Sequence, residues 1–227
     1  MITAVLTLLA PALTVALLIL TLILAKGDIC PGQRGRIHKL FPAIGILWLA
    51  IASLKVEAFL VVFAVFYIYS QVKTGKTREK GPFWVVHLAN GFSIAFAGII
   101  VAQQPNLAQS LSLVCSGLLL GTAFAHLLLT IARTRLQAFH RILPVSGVIF
   151  SMLLAVSFVV NAYQWEPEIV TQYTSAVVSS LVMLVVGIVI WSWHIIRHST
   201  PTKGQLTIAF LSLMVTNVGL LQLYWLA

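Results

Sequence analysis

Histidine is the residue type in this chain best placed to do chemistry, and two of the six histidines sit within long apolar stretches. His87 lies about one helical turn, and His126 about two turns, from the same predicted end of their helices. At 1.5 Å per residue those depths are about 6 and about 10 Å. Imidazole changes charge near neutral pH, ligates iron and hydrogen-bonds carbonyl oxygens. On antiparallel neighbouring helices, His87 and His126 are therefore candidates for the axial ligands of a haem b. Alternatively, one of them would hydrogen-bond a menaquinone headgroup, with Trp84 and Asn90 shaping the pocket. The plainer alternative is a histidine satisfied by nearby Ser, Asn or carbonyl groups. His38, His140 and His198 lie among basic residues at predicted helix ends, where headgroup or solvent contact is expected. Trp84 and Trp191, each three residues before a histidine, also suit an interfacial aromatic belt. Cys30 and Cys115 belong to no metal-ligand spacing and fall towards opposite predicted faces, so neither a metal site nor a disulfide is expected.

The elements that must hold these residues are membrane helices. The chain is 60% hydrophobic and 8% charged, with a mean hydropathy of +1.02, against about 25% charged residues in soluble domains. One soluble core could not hide so much apolar surface. Thirteen of the fourteen Lys and Arg residues fall in four segments, 26–39, 73–80, 133–141 and 197–203. The linkers between them hold Glu57, Glu166 and Glu168 but only one base, Lys55. A positive excess in every second loop sets the orientation of a polytopic membrane protein and puts these four segments in the cytoplasm. The net charge of +9 is thereby accounted for by topology, without nucleic acid as a partner. Localisation in the cytoplasmic (inner) membrane follows, with the lipid bilayer as the main partner.

Six segments reach spanning length: 3–25, 83–103, 108–132, 141–162, 170–195 and 205–226. The stretch 40–72 carries Lys55 and Glu57 at its middle. Both flanking segments are basic, so an even number of crossings must separate them. A lone Lys near the bilayer centre would cost at least about 2.5 kcal/mol. Two short helices with a turn at Leu54–Glu57 are therefore predicted, with Lys55 and Glu57 loosely paired there. The expected fold is an all-α transmembrane bundle of eight helices in one integral membrane domain, with both termini non-cytoplasmic. The first apolar run is too long, and its start too poor in bases, for a cleavable signal peptide. Pro42, Pro82, Pro144 and Pro201 are expected at helix starts, and Pro11 inside the first helix.

A short repeat hints at two four-helix halves, 1–103 and 108–227. His38, Pro42 and Gly45 recur as His140, Pro144 and Gly147, 102 residues later; a common origin competes with the simple recurrence of these residues at helix entries. Small-residue ridges, Gly117–Gly121–Ala125 on the fifth helix and Gly91–Ala95–Gly98 on the fourth, favour close helix approach. A very short turn joins those two helices, so they are expected to pack on each other. No acid lies deep in a helix, which argues against a proton- or sodium-coupled carrier. Hydrolase motifs are absent, and the chain is expected to be a non-catalytic or electron-transfer subunit rather than a stand-alone enzyme.

Several segments resemble the eight-helix membrane anchor subunit of the DMSO reductase family. They are Leu24–Asp28 closing the first helix, Trp48–Leu54, Leu118–Ala132 and Arg141–Pro144. Helix number and segment order agree over most of the chain. Leu54–Glu57 stands where that family has a His-containing loop, and Thr216–Gly219 where it has charged residues in the last helix. The resemblance implies an anchor that docks iron–sulfur and molybdopterin subunits on the outer face and takes electrons from menaquinol. A small-solute facilitator working between the halves, and a membrane scaffold or biogenesis factor without chemistry, are the competing functions.

Overall fold

The computed structural model describes residues 1–27, 29–72, 81–134 and 136–226. Nine α-helices occur among the described residues: α1 (Ile2–Lys26), α2 (Pro31–His38), α3 (Phe41–Ala52), α4 (Phe59–Gln71), α5 (Phe83–Ala102), α6 (Leu107–Ile131), α7 (Gln137–Ala162), α8 (Pro167–Ile196) and α9 (Lys203–Leu226). Eight are the predicted apolar helices; α2 is a short basic addition. Helices satisfy every backbone group within one segment, which lipid requires. Seven stretches are long and apolar enough to span a bilayer, with α2 and α3 taken together as Pro31–Ala52.

The pair α3 and α4 is the short hairpin expected over 40–72, turned by a 3₁₀ segment at Val56–Ala58. The apolar part, Val56–Gln71, is about 24 Å long, short for a hydrocarbon layer of about 30 Å. Lys55 Nζ nevertheless reaches Gln103 Oε1 at 2.6 Å, level with the end of α5. The partner expected for Lys55 was Glu57. The structure instead gives it Gln103, a neutral acceptor in the adjoining turn.

The described basic segments gather at one end of the bundle. Arg36 donates to the Arg133 carbonyl at 3.3 Å, and Gln137, His140 and Arg141 line one groove with residues 198–201. Segment 73–80 lies outside the described residues. At the other end Asn106 meets Asn161 at 3.1 Å, and Asn106 also caps α6 by accepting from Gln109 N at 2.8 Å.

Contacts fall into two circuits of four. The first runs α1–α3–α4–α5 and back to α1, the second α6–α7–α8–α9 and back to α6. The seam between circuits is mainly α1 against α6. Here the expected packing is corrected: the Gly117–Gly121 ridge receives α1, not α5. A Cβ on Gly117 would strike Pro11, and one on Gly121 would strike Val15 and the Ala12 carbonyl. On α5, by contrast, Gly91 and Gly98 face open space. The turn joining α5 to α6 is short, yet the two helices touch little. Helix neighbours are chosen by the fit of their surfaces, not by loop length.

Pro144 is a second correction. The α7 helix begins at Gln137, so Pro144 lies inside it rather than at its start. Pro42 and Pro82 do sit at helix starts, and Pro11 lies within α1 as expected.

Candidate functional site

Three histidines converge where α6, α7 and α8 meet at the basic end. His126 on α6 is fully buried. Its Nδ1 accepts from Trp191 Nε1 at 2.9 Å, and its Nε2 lies 2.9 Å from His140 Nδ1. An indole nitrogen only donates, so the proton of His126 is on Nε2, which donates to His140. His140 Nδ1 therefore accepts, and the His140 ring carries its own proton on Nε2. His194, also buried, stands edge-on to His126 with ring centroids 5.4 Å apart.

The local sequence explains how these rings meet. Trp191 and His194 are three residues apart on α8 and so share a face. Trp191 can enter because Gly147 on α7 has no side chain; a Cβ there would overlap the indole. Pro144 has no N–H, so the carbonyl four residues before it, that of His140, lacks its helical donor. His194 Nε2 supplies the missing bond at 2.9 Å. His140, Pro144 and Gly147, singled out as a repeat, thus act together: one gives a ring and a free carbonyl, one frees it, one makes room.

The cluster opens to a groove of about 670 Å³. Its polar walls include Gln137, His140, Arg141, His194, His198 and Thr200. His198 has a left-handed backbone, φ 50°, uncommon for a residue with a Cβ. Among the described lining residues there is no carboxylate.

The four residues expected to bind a cofactor are spread out. His126 lies in the cluster. His87 is exposed on α5 beside Phe83, ring centroids 6.3 Å apart. Trp84 is exposed on the same helix and borders an apolar cleft of about 550 Å³ between α4 and α5. Asn90 is buried and donates to Thr21 on α1 at 2.9 Å, a latch between helices. With His87 on the outer surface of α5 and both ring nitrogens of His126 engaged, the structure does not bring this pair together as haem ligands. Among the described residues no group of three or more His, Cys, Asp or Glu side chains is arranged to hold a metal ion.

Sequence reasoning placed Trp191 in an aromatic belt and His140 in the headgroup layer. The structure buries Trp191 completely and makes His140 a half-buried partner of His126. The i, i+3 pair Trp191–His194 and the i, i+4 pair His140–Pro144 were the available signals. His38, the repeat counterpart of His140, is buried and stacked on Phe41, centroids 5.7 Å apart.

A bundle of apolar helices with a buried polar cluster at one end defines a polytopic integral membrane protein. Residues 2–221 match a family described as an integral membrane domain, and the chain belongs to that family. A Haemophilus influenzae protein described as uncharacterized is 31% identical over 153 residues, covering 63% of this chain and 57% of that protein. The match therefore spans a little over half of that relative. No solved structure matches the chain.

Proposed function

We propose that the protein is the membrane subunit of a respiratory-type redox complex, and that its histidine cluster exchanges protons with a quinol. The carrying observation is the cluster of His126, His140 and His194, two of whose rings, His140 and His194, line a polar groove. Oxidation of a quinol to a quinone releases two protons and two electrons. Imidazoles within hydrogen-bond reach of the hydroxyls are suited to take the protons. The electrons go to an iron–sulfur subunit, and onward to a molybdopterin subunit. Electron transfer weakens steeply with distance, so in this reading the iron–sulfur subunit docks over the basic end. The family resemblance implied the outer face; the position of the histidines favours the opposite one. The groove donors Arg141, Gln137 and Thr200 would orient the quinone oxygens.

The solute-facilitator alternative needs a path between the two circuits. That path would have to open the α1–α6 seam, where Gly117 and Gly121 are closed against Pro11 and Val15. The test is to purify the protein in mild detergent from its native membranes, extract and quantify quinone, and identify copurifying chains. Bound quinone together with an iron–sulfur partner is the expected result, with quinone reduced in His126→Gln. A folded protein without quinone or partner would end the reading.

A further inference from the structure

We infer that His194, rather than His126, is the residue of the cluster that binds the exchanged proton. Donors and acceptors around each ring decide which one has room for a second proton. Trp191 Nε1 can only donate, so His126 Nδ1 must stay an acceptor. A second proton on His126 would face that N–H and break the bond. His140 accepts at Nδ1 from His126, so its single proton is on Nε2. Protonating its Nδ1 would set two N–H groups against each other. Both rings are therefore held with one proton each.

His194 differs. Its Nε2 lies 2.9 Å from the His140 carbonyl, and its Nδ1 lies 3.0 Å from the Trp191 carbonyl. Carbonyl oxygens only accept. With one proton, the ring bonds one of the two carbonyls and turns the lone pair of its other nitrogen towards the second oxygen. A proton added at that nitrogen converts the repulsion into a charge-assisted hydrogen bond. The site for the added proton is thus already built, on a ring that also lines the groove.

Each element packed against the ring brings its own charged or titratable groups. The α6 helix presents His126, and α7 presents His140 and Arg141. The end of α8 carries Arg197, stacked over Trp193 at 4.9 Å, and His198. From α9, the uncharged Gln205 donates to the Ile190 carbonyl at 2.8 Å and approaches that of Trp191 at 3.4 Å; Lys203 is exposed in its first turn. No described residue lining the groove is acidic. The added charge is balanced by the two carbonyl dipoles and by whatever anion or water the groove admits.

The purpose of this proton site rests on the proposed quinol exchange, but its test does not. Histidine-labelled protein in lipid nanodiscs would be followed by nitrogen NMR from about pH 9 to about pH 5, the window in which imidazoles titrate. The signals would be assigned with His126→Gln, His140→Gln and His194→Gln. The ring lost in His194→Gln should be the cluster histidine that gains a second proton, while the other two keep one each. A second proton appearing first on His126 or His140, or never on His194, would overturn the inference. If His194→Gln does not fold, Pro144→Ala replaces it. That change gives the His140 carbonyl a backbone donor in competition with His194, and should weaken the His194 Nε2 contact with that carbonyl, read as a shift of its nitrogen signal. No change in Pro144→Ala would also overturn the inference. A doubly protonated His194 in a protein that carries no quinone would leave the proton site standing and remove only the quinol reading.

Discussion

His126 shows how a buried polar ring is held in an apolar bundle. Both its nitrogens have partners at 2.9 Å, so the ring is a structural member of the cluster. Truncation to Ala would leave a cavity and strand the N–H of Trp191 without an acceptor. Large-to-small core changes cost about 2–5 kcal/mol, and a buried unpaired polar group about 1–3 more. His126→Ala is expected to lower the thermal midpoint in detergent clearly, with His126→Gln losing less because an amide can keep one bond. Equal stability of both variants with the wild type would contradict the hydrogen-bond assignment. At His87 the expectation is the reverse. The ring is exposed, so His87→Leu should leave the midpoint within about 0.5 kcal/mol of stability.

Between helices, two glycine sets of similar spacing have opposite consequences. Gly121 lies under Val15 and the Ala12 carbonyl, while Gly91 meets nothing. Lipid offers no hydrophobic drive for helix association, so close approach and interhelical hydrogen bonds carry it. Gly121→Val should force α1 and α6 apart, a loss of about 1–3 kcal/mol for overpacking, whereas Gly91→Ala should be neutral. Thermal unfolding of the two variants side by side decides between them; equal losses would mean that α5, not α1, covers the ridge. The ridge itself was legible in the sequence. Its partner was not, because a period of small residues marks a face without saying which of several apolar helices fits it. The same limit explains Trp191. Its spacing from His194 was visible, but whether that face turned to lipid or to α7 depended on Gly147 lying opposite.

Across the whole molecule, the described basic segments share one end, and the α3–α4 turn reaches the other. The charge rule leads to the expectation that the basic end faces the cytoplasm. Cys30 is exposed at that end and Cys115 is buried. A membrane-impermeant maleimide should therefore label Cys30 only after cells are opened; labelling in intact cells would reverse the assigned orientation.

The number of apolar helices, the short hairpin over 40–72 and the gathering of the described basic segments at one end were determined by the sequence alone. They depend on local quantities: the length of an apolar run, the cost of burying Lys55, and the sign of the charge at each helix end. The pairing of α1 with α6, the removal of His87 from His126, and the joining of His126, His140, Trp191 and His194 were decided only by the tertiary structure. In these helices nearly every face is apolar, so sequence periodicity does not distinguish a lipid-facing side from a packed one. That choice is made by shape, by a glycine that admits an indole and a proline that frees a carbonyl, once the helices lie side by side.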